Sequence, residues 1–221
     1  MSVTAASPRS SHTSTTIYGD FTSASSYLAS VRQDRLLARG LAAPKWCSVE
    51  LRPTIPIAGI RLDGRARAAR ERELYSLRRL GFLGEVFDAR VPSFIPSTRA
   101  AAVAYAEACH AGRGDLMRQR LFEAYWVHGA DIGHPDVLAR LAQTAPTPAT
   151  VDLLDRNVQN ADRATAEAGL RSTRALQRVL EWQDAWVRLG VPIDLTVVTP
   201  FTVVWGTSAV RALEADPVLA A

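Results

Sequence analysis

The chain has 221 residues, is 48% hydrophobic and carries a formal net charge of +4. It can bury a full core as one domain or one and a half, and no apolar run approaches the ~18–20 residues of a membrane span. Arginine supplies nearly all the positive charge, with Lys45 the only lysine. Acidic residues are interspersed with it, which argues against a nucleic-acid-binding surface.

The first fifteen residues, MSVTAASPRSSHTST, lack the apolar middle of a secretory signal. Residues 1–14 are therefore expected to form a disordered tail, and the protein to be cytoplasmic. Thr16 to Phe21 reads as a strand, followed by a polar turn and a helix with apolar residues at Tyr27, Leu28, Val31, Leu36 and Leu37. A helix entered through such a turn leaves N–H groups unpaired, and its dipole adds partial positive charge. The turn therefore favours an electron-rich group, whether carboxylate, phosphate or thiolate. Lys45 to Leu51 alternates as a second strand, so the opening reads as a βαβ unit with a right-handed crossover.

Arg65 to Leu80 follows as a helix striped by Leu74, Leu77 and Leu80, then an irregular stretch from Phe82 to Pro96. Ser97 and Thr98 cap a small-residue helix ending near His110. Asp115 opens another, in which Leu116, Leu121, Phe122 and Tyr125-Trp126 are expected to pack inward. His134-Pro135-Asp136 starts a short helix, and APTPAT separates it from a helical pattern over Val151 to Leu189, weakest at Gly169. Trp182 and Trp186 are spaced for core packing. Gly190-Val191-Pro192 ends that helix. Ile193–Val198 and Phe201–Trp205 read as a hairpin, and Thr207–Ala215 as a closing helix.

DFTSASSYLAS, PSTRAAAVAYAEACHAG, LFEAYWVHGADIGHPDVL and GVPIDL with VVWGTSAV together resemble the DsbA-like thioredoxin-fold family. The resemblance covers nearly everything after residue 15. It implies an α/β, thioredoxin-like fold with a helical insertion: residues 15–62 plus 173–221 as the thioredoxin-like part and 63–172 as the insertion. It also implies a cis bond between Val191 and Pro192, beside the start of the first helix. The family's C-x-x-C falls on Ser23-Ala24-Ser25-Ser26, so the thiolate and resolving thiol that disulfide exchange requires are absent from that motif.

The same segment resembles the S-P-Y-S-[YW]-L motif of kappa-class glutathione transferases and 2-hydroxychromene-2-carboxylate isomerases, with Ala24 in place of the proline. That resemblance implies Ser23 as the catalytic hydroxyl, hydrogen-bonded to glutathione sulfur, and glutathione as cofactor. Ser26 of the same turn and Thr207 and Ser208 after the last strand are expected beside the ligand, and the DsbA-like resemblance adds Val191 and the carbonyl of Pro192 as backbone groups for an extended ligand. The Ser-Asp pair that holds the γ-glutamyl end in those enzymes is Thr207-Ser208 here, so the carboxylate that pairs with the ligand's ammonium is missing.

Two functions of different kind follow. One is a protein without dithiol exchange that binds a small thiol or an extended peptide at the Ser23/Pro192 cleft. The other is a glutathione-dependent isomerase or transferase. No metal, nucleic acid or membrane is expected, and a homodimer is left open. Simple helix capping is an alternative role for Ser23 and Ser26. His128 and His134 lack metal-ligand spacing, and His134 is expected to start a helix. Cys47 and Cys109, far apart in sequence, are expected to be buried, reduced thiols packing as small hydrophobes.

Overall fold

The computed structural model describes residues 14–80, 87–143 and 159–215. The tail over residues 1–13, the APTPAT segment and the start of the irregular stretch at Phe82 lie outside them. Strand β1 (Thr16–Gly19) leads into helix α1 (Ala24–Ala38) and then β2 (Lys45–Ser48). Strands β1 and β2 pair in parallel, Thr16 opposite Lys45 and Gly19 opposite Ser48. Strand β5 (Thr196–Val198) pairs antiparallel with β1, and β6 (Val203–Trp205) with β5. The sheet order is β2-β1-β5-β6, the mixed sheet of a thioredoxin-like fold. Helix α7 (Gly206–Ala215) closes the chain against α1.

Between the two halves of the sheet run α2 (Gly64–Arg78), α3 (Arg99–His110), α4 (Gly114–Trp126), α5 (Pro135–Ala142) and α6 (Gln159–Val187). The last passes Gly169 without a break. A two-stranded ladder of β3 (Ile60–Arg61) and β4 (Phe94–Ile95) lies where the sequence reads as irregular. With only two residues per strand, it is too short for the alternation that marks a strand.

One core cluster draws on both segments of the fold. Phe21 stands edge-on to Tyr105 and Phe122, with ring centroids 5.9 and 5.1 Å away, which joins the end of β1 to α3 and α4. Trp182 and Trp186 are buried as expected, and the Trp186 indole N–H donates to Thr196 Oγ1. Helix α6 is further tied to the segment after β2 by Gln183, whose side-chain amide exchanges hydrogen bonds with both backbone groups of Glu50. Two placements differ from the sequence reading. Leu116 is exposed, because Met117, Leu121, Ala124 and Tyr125 form the inward stripe of α4. Cys109 is exposed near the end of α3, and only Cys47 is buried.

Leu121→Ala should therefore cost about 2–5 kcal/mol of unfolding free energy in a urea titration, the range for a truncated core leucine. Leu116→Ala should cost less than about 1 kcal/mol. Equal losses would contradict the α4 facing.

Candidate functional site

The site forms where β1 ends and α1 begins. Ser23 is the N-cap, with extended backbone, and its Oγ accepts from the Ser26 N–H at 3.3 Å. The side chain of Ser25 donates to Asp194 Oδ1 at 3.0 Å, and the Ser23 and Ser25 hydroxyls lie 2.8 Å apart. Each hydroxyl has one proton. With the Ser25 proton on Asp194, Ser23 donates to Ser25. The result is a chain from Ser23 through Ser25 to a carboxylate. Ser23 is only 6% exposed.

Asp194 was not singled out from the sequence. It lies just before β5, its Oδ1 also accepts from the Leu195 N–H at 2.7 Å, and its Oδ2 faces the first residue of α7. A Cβ at Gly206 would stand 2.9 Å from that oxygen, and Gly206 has φ +59°. The left-handed backbone favours glycine there, and any Cβ would displace the Asp194 carboxylate. Asp194 thus bridges the first turns of α1 and α7, whose dipoles both favour negative charge. The first turns of α1 and α7 carry no acid of their own, and the residue that supplies one is distant in sequence, so only the folded sheet brings it there.

The other expected residues are arranged as follows. Ser26 is fully buried and its Oγ accepts from the Asp20 N–H. Thr207 and Ser208 are exposed in the first turn of α7. Val191 is half-buried and Pro192 exposed, in the connection from α6 to β5. The Val191–Pro192 bond is trans, which corrects the cis expectation. Trans is the lower-energy isomer of an X–Pro bond by about 0.5–1 kcal/mol, and the residue that meets the α1 start is Asp194, two positions further on.

The turn is clamped from beneath and behind. Asp20, 2% exposed, accepts from Thr22 N–H and Oγ1 through Oδ1, and from Leu51 N–H and Thr98 Oγ1 through Oδ2. Thr98, whose backbone is helical rather than extended, makes no side-chain cap bond in α3. The Phe21 carbonyl accepts from the Trp126 indole, and the Thr22 carbonyl from Arg70. Arg70 is buried over the Trp126 ring, and burial lowers its pKa. The helical segment therefore holds the carbonyls of the turn that presents Ser23.

Among the described residues no group of three metal-ligating side chains occurs. His134 caps α5 through Nδ1, which accepts from the Asp136 N–H, and His128 is exposed beside Glu123. Burial pushes the Cys47 thiol up to about 12, with Lys45 opposing weakly. Neither cysteine is disulfide-bonded.

No family model matches the sequence, and no curated protein matches it. Solved structures do match by fold. One is a probable DsbA oxidoreductase from Streptomyces coelicolor, at 14% identity and TM-score 0.63, covering 93% of this chain and 88% of that one. A 2-hydroxychromene-2-carboxylate isomerase matches at 20% identity and TM-score 0.61, covering 91% and 92%. The cytosolic disulfide reductase DsbM from Pseudomonas aeruginosa, in a structure with GSH, matches at 18% identity and TM-score 0.55, covering 93% and 94%. The chain has the DsbA-like thioredoxin fold. At the start of α1 in this chain, the Asp194 carboxylate stands beside the Ser23 and Ser25 hydroxyls. No helix among the described residues is long and apolar enough to cross a membrane.

Cys47 is neutral in the folded state up to about pH 12 but ionises near 9 when unfolded. Between these values the unfolded state binds fewer protons, so its contribution to stability is complete below pH 9 and is lost as pH rises towards 12. Urea midpoints of wild type and Cys47→Ala should therefore converge as pH is raised from 8 to 10.5. Parallel curves would mean that the thiol is not so shielded. At pH 8 the native protein should take up one equivalent of iodoacetamide, at Cys109.

Proposed function

We propose that this protein is a thioredoxin-fold binding protein that performs no dithiol exchange. It takes an extended peptide, or a thiol left protonated, at the cleft between Ser23 and the Val191–Pro192 connection. The observation that carries this reading is the Ser23–Ser25–Asp194 chain. It supplies a hydroxyl and a fixed negative charge where exchange chemistry needs a thiolate, and negative charge beside a sulfur disfavours its ionisation. Asp194 suits a ligand ammonium instead. The connection before β5 supports an extended ligand: Val191 and Ile193 have no backbone partner among the described residues, and Ile193 is 70% exposed. Peptides dock on such backbone by strand-like hydrogen bonding. Two free thiols agree with a reducing, cytoplasmic setting.

Calorimetry with trialanine, carrying a free amino terminus, tests the reading. Millimolar or tighter binding is expected, weakened about tenfold by Asp194→Asn, which removes the charge but keeps the shape. N-acetylation of the peptide should weaken binding similarly. Binding that ignores both changes would overturn the Asp194 role. Insulin reduction should be absent, in wild type and in Cys47→Ser/Cys109→Ser alike.

A second reading, glutathione-dependent isomerisation or transfer, gains one specific observation. Although Ser208 stands where those enzymes carry the acid, Asp194 brings a carboxylate to the same helix start. It could receive the γ-glutamyl ammonium while Ser23 faces the sulfur. Glutathione binding at millimolar affinity or better that Ser23→Ala weakens favours this reading; no heat removes it.

A further inference from the structure

The two edges of the sheet differ in kind. At one edge β2 begins with Lys45, which is exposed and is the only lysine in the chain. A charge on an edge strand discourages another strand from pairing with it. At the other edge lies β6, and from Leu195 to Val210 the sequence contains no charged residue. Phe201, shortly before β6, and Trp205, its last residue, are 79% and 43% exposed.

The register fixes which backbone groups face outward. The Thr199 N–H donates to the Thr202 carbonyl, and the Gly206 N–H to the Leu195 carbonyl. Hydrogen-bonded and non-hydrogen-bonded pairs alternate along an antiparallel ladder. Thr202, Val204 and Gly206 therefore turn their backbone groups towards β5, and Val203 and Trp205 turn theirs away. Among the described residues nothing receives the Val203 and Trp205 N–H groups. The side chains agree with an open edge. Trp205 lies opposite Thr196, on the face where the Trp186 indole meets the Thr196 hydroxyl. Helix α6 thus reaches β5, and Trp205, one strand further out, stays partly bare.

An unpaired edge of this kind is completed by another extended strand. The strand that matches it is β6 of a second copy. A two-fold axis through Val203, perpendicular to the sheet, sets Val203 opposite its own counterpart, each donating its N–H to the other's carbonyl. The same register brings Phe201 of each copy level with Trp205 of the other, so the exposed aromatics pair across the seam. A two-fold also sets like charges near one another, and this segment carries none. We propose that the protein forms a two-fold dimer by antiparallel β6–β6 pairing, which joins two four-stranded sheets into one of eight strands. Three strand residues per copy make a narrow seam, of the class below about 1,200 Å² that is weak and reversible.

Sedimentation equilibrium of the wild-type protein should show a monomer–dimer equilibrium with a dissociation constant of about 10–500 μM. Val203→Pro removes the outward N–H and no bond to β5, a change that edge strands tolerate. It should leave the melting temperature within a few degrees and weaken association at least about tenfold. Phe201→Lys, at an exposed turn position, should weaken it at least about fivefold. The register has its own test, which does not depend on how those variants fold. In a Cys47→Ser/Cys109→Ser background, Val203→Cys sets two thiols on a hydrogen-bonded pair whose Cα atoms are about 5.5 Å apart. That separation is inside the ~4.4–6.8 Å a disulfide spans. With oxidised glutathione as oxidant, it should form a covalent dimer at least about tenfold faster than Leu116→Cys, at an exposed position of α4, in the same background. A wild-type monomer at about 1 mM, undiminished association of folded Val203→Pro, or cross-linking at position 203 no faster than at 116 would each overturn the proposal. Ser23 and Asp194 take no part in this seam, so its failure leaves the reading of the Ser23 site unaffected.

Discussion

Four donors converge on the carboxylate of Asp20: the Thr22 N–H and hydroxyl, the Leu51 N–H and the Thr98 hydroxyl. A carboxylate buried alone would cost several kcal/mol in lost hydration. Hydrogen bonds to a charged acceptor return roughly 1.5–3 kcal/mol each, so only a convergence of this kind makes the burial sustainable. Its geometric consequence is larger than its energy. The bonds tie the end of β1 to the segment after β2 and to the start of α3, and they fold Thr22 back over the strand end. Ser23 is left as the N-cap of α1. The Phe21 and Thr22 carbonyls, turned away, are received by Trp126 and Arg70. The helical segment therefore has a definite role at the site: it fixes the turn.

The chemistry of the site follows from a second carboxylate. The helix start of a thioredoxin-like fold draws negative charge towards its first turn. Here that charge is supplied by the protein itself, through Asp194 and the Ser25 hydroxyl. The start of α7 lies against the same carboxylate at Gly206, where an added Cβ would stand 2.9 Å from Asp194 Oδ2. The helix terminus is thus already occupied, and the Ser23 hydroxyl has its proton committed to Ser25. Such a surface is poorly suited to stabilising a thiolate, which is why the proposed ligand is one that brings an ammonium and backbone amides.

Much of the fold was legible in the sequence, because the βαβ opening, the hairpin and the closing helix each carry a strong periodic or turn signal. His134 as a helix start was legible for the same reason: a side chain two residues before Asp136 and next to Pro135 caps by local geometry. The β3–β4 ladder was not legible, since two-residue strands have no period. At the site, the serine turn was visible and its main partner was not. Asp194 lies 169 residues from Ser25 in the chain, and their contact exists only once β5 pairs with β1. Pro192 carries the family motif, yet the chain continues two residues beyond it before reaching the α1 start. Leu116 and Cys109 misled through composition alone: an apolar residue on a helix is assigned a face only by its neighbours, and here Met117 and Tyr105 hold the inward positions.

The central claim is that Asp194, and not a bound thiolate, is the negative charge seated at the α1 start. The direct measurement is the pH dependence of iodoacetamide reaction at a cysteine placed by Ser23→Cys, with Cys47 and Cys109 replaced by serine, in the presence of Asp194 and in an Asp194→Asn background. The account predicts a thiol pKa at or above the free value of about 8.5 with Asp194 present, falling by about one unit or more when the charge is removed. A depressed pKa that is the same in both backgrounds would contradict it, because the helix start would then be free to stabilise a thiolate whatever Asp194 does.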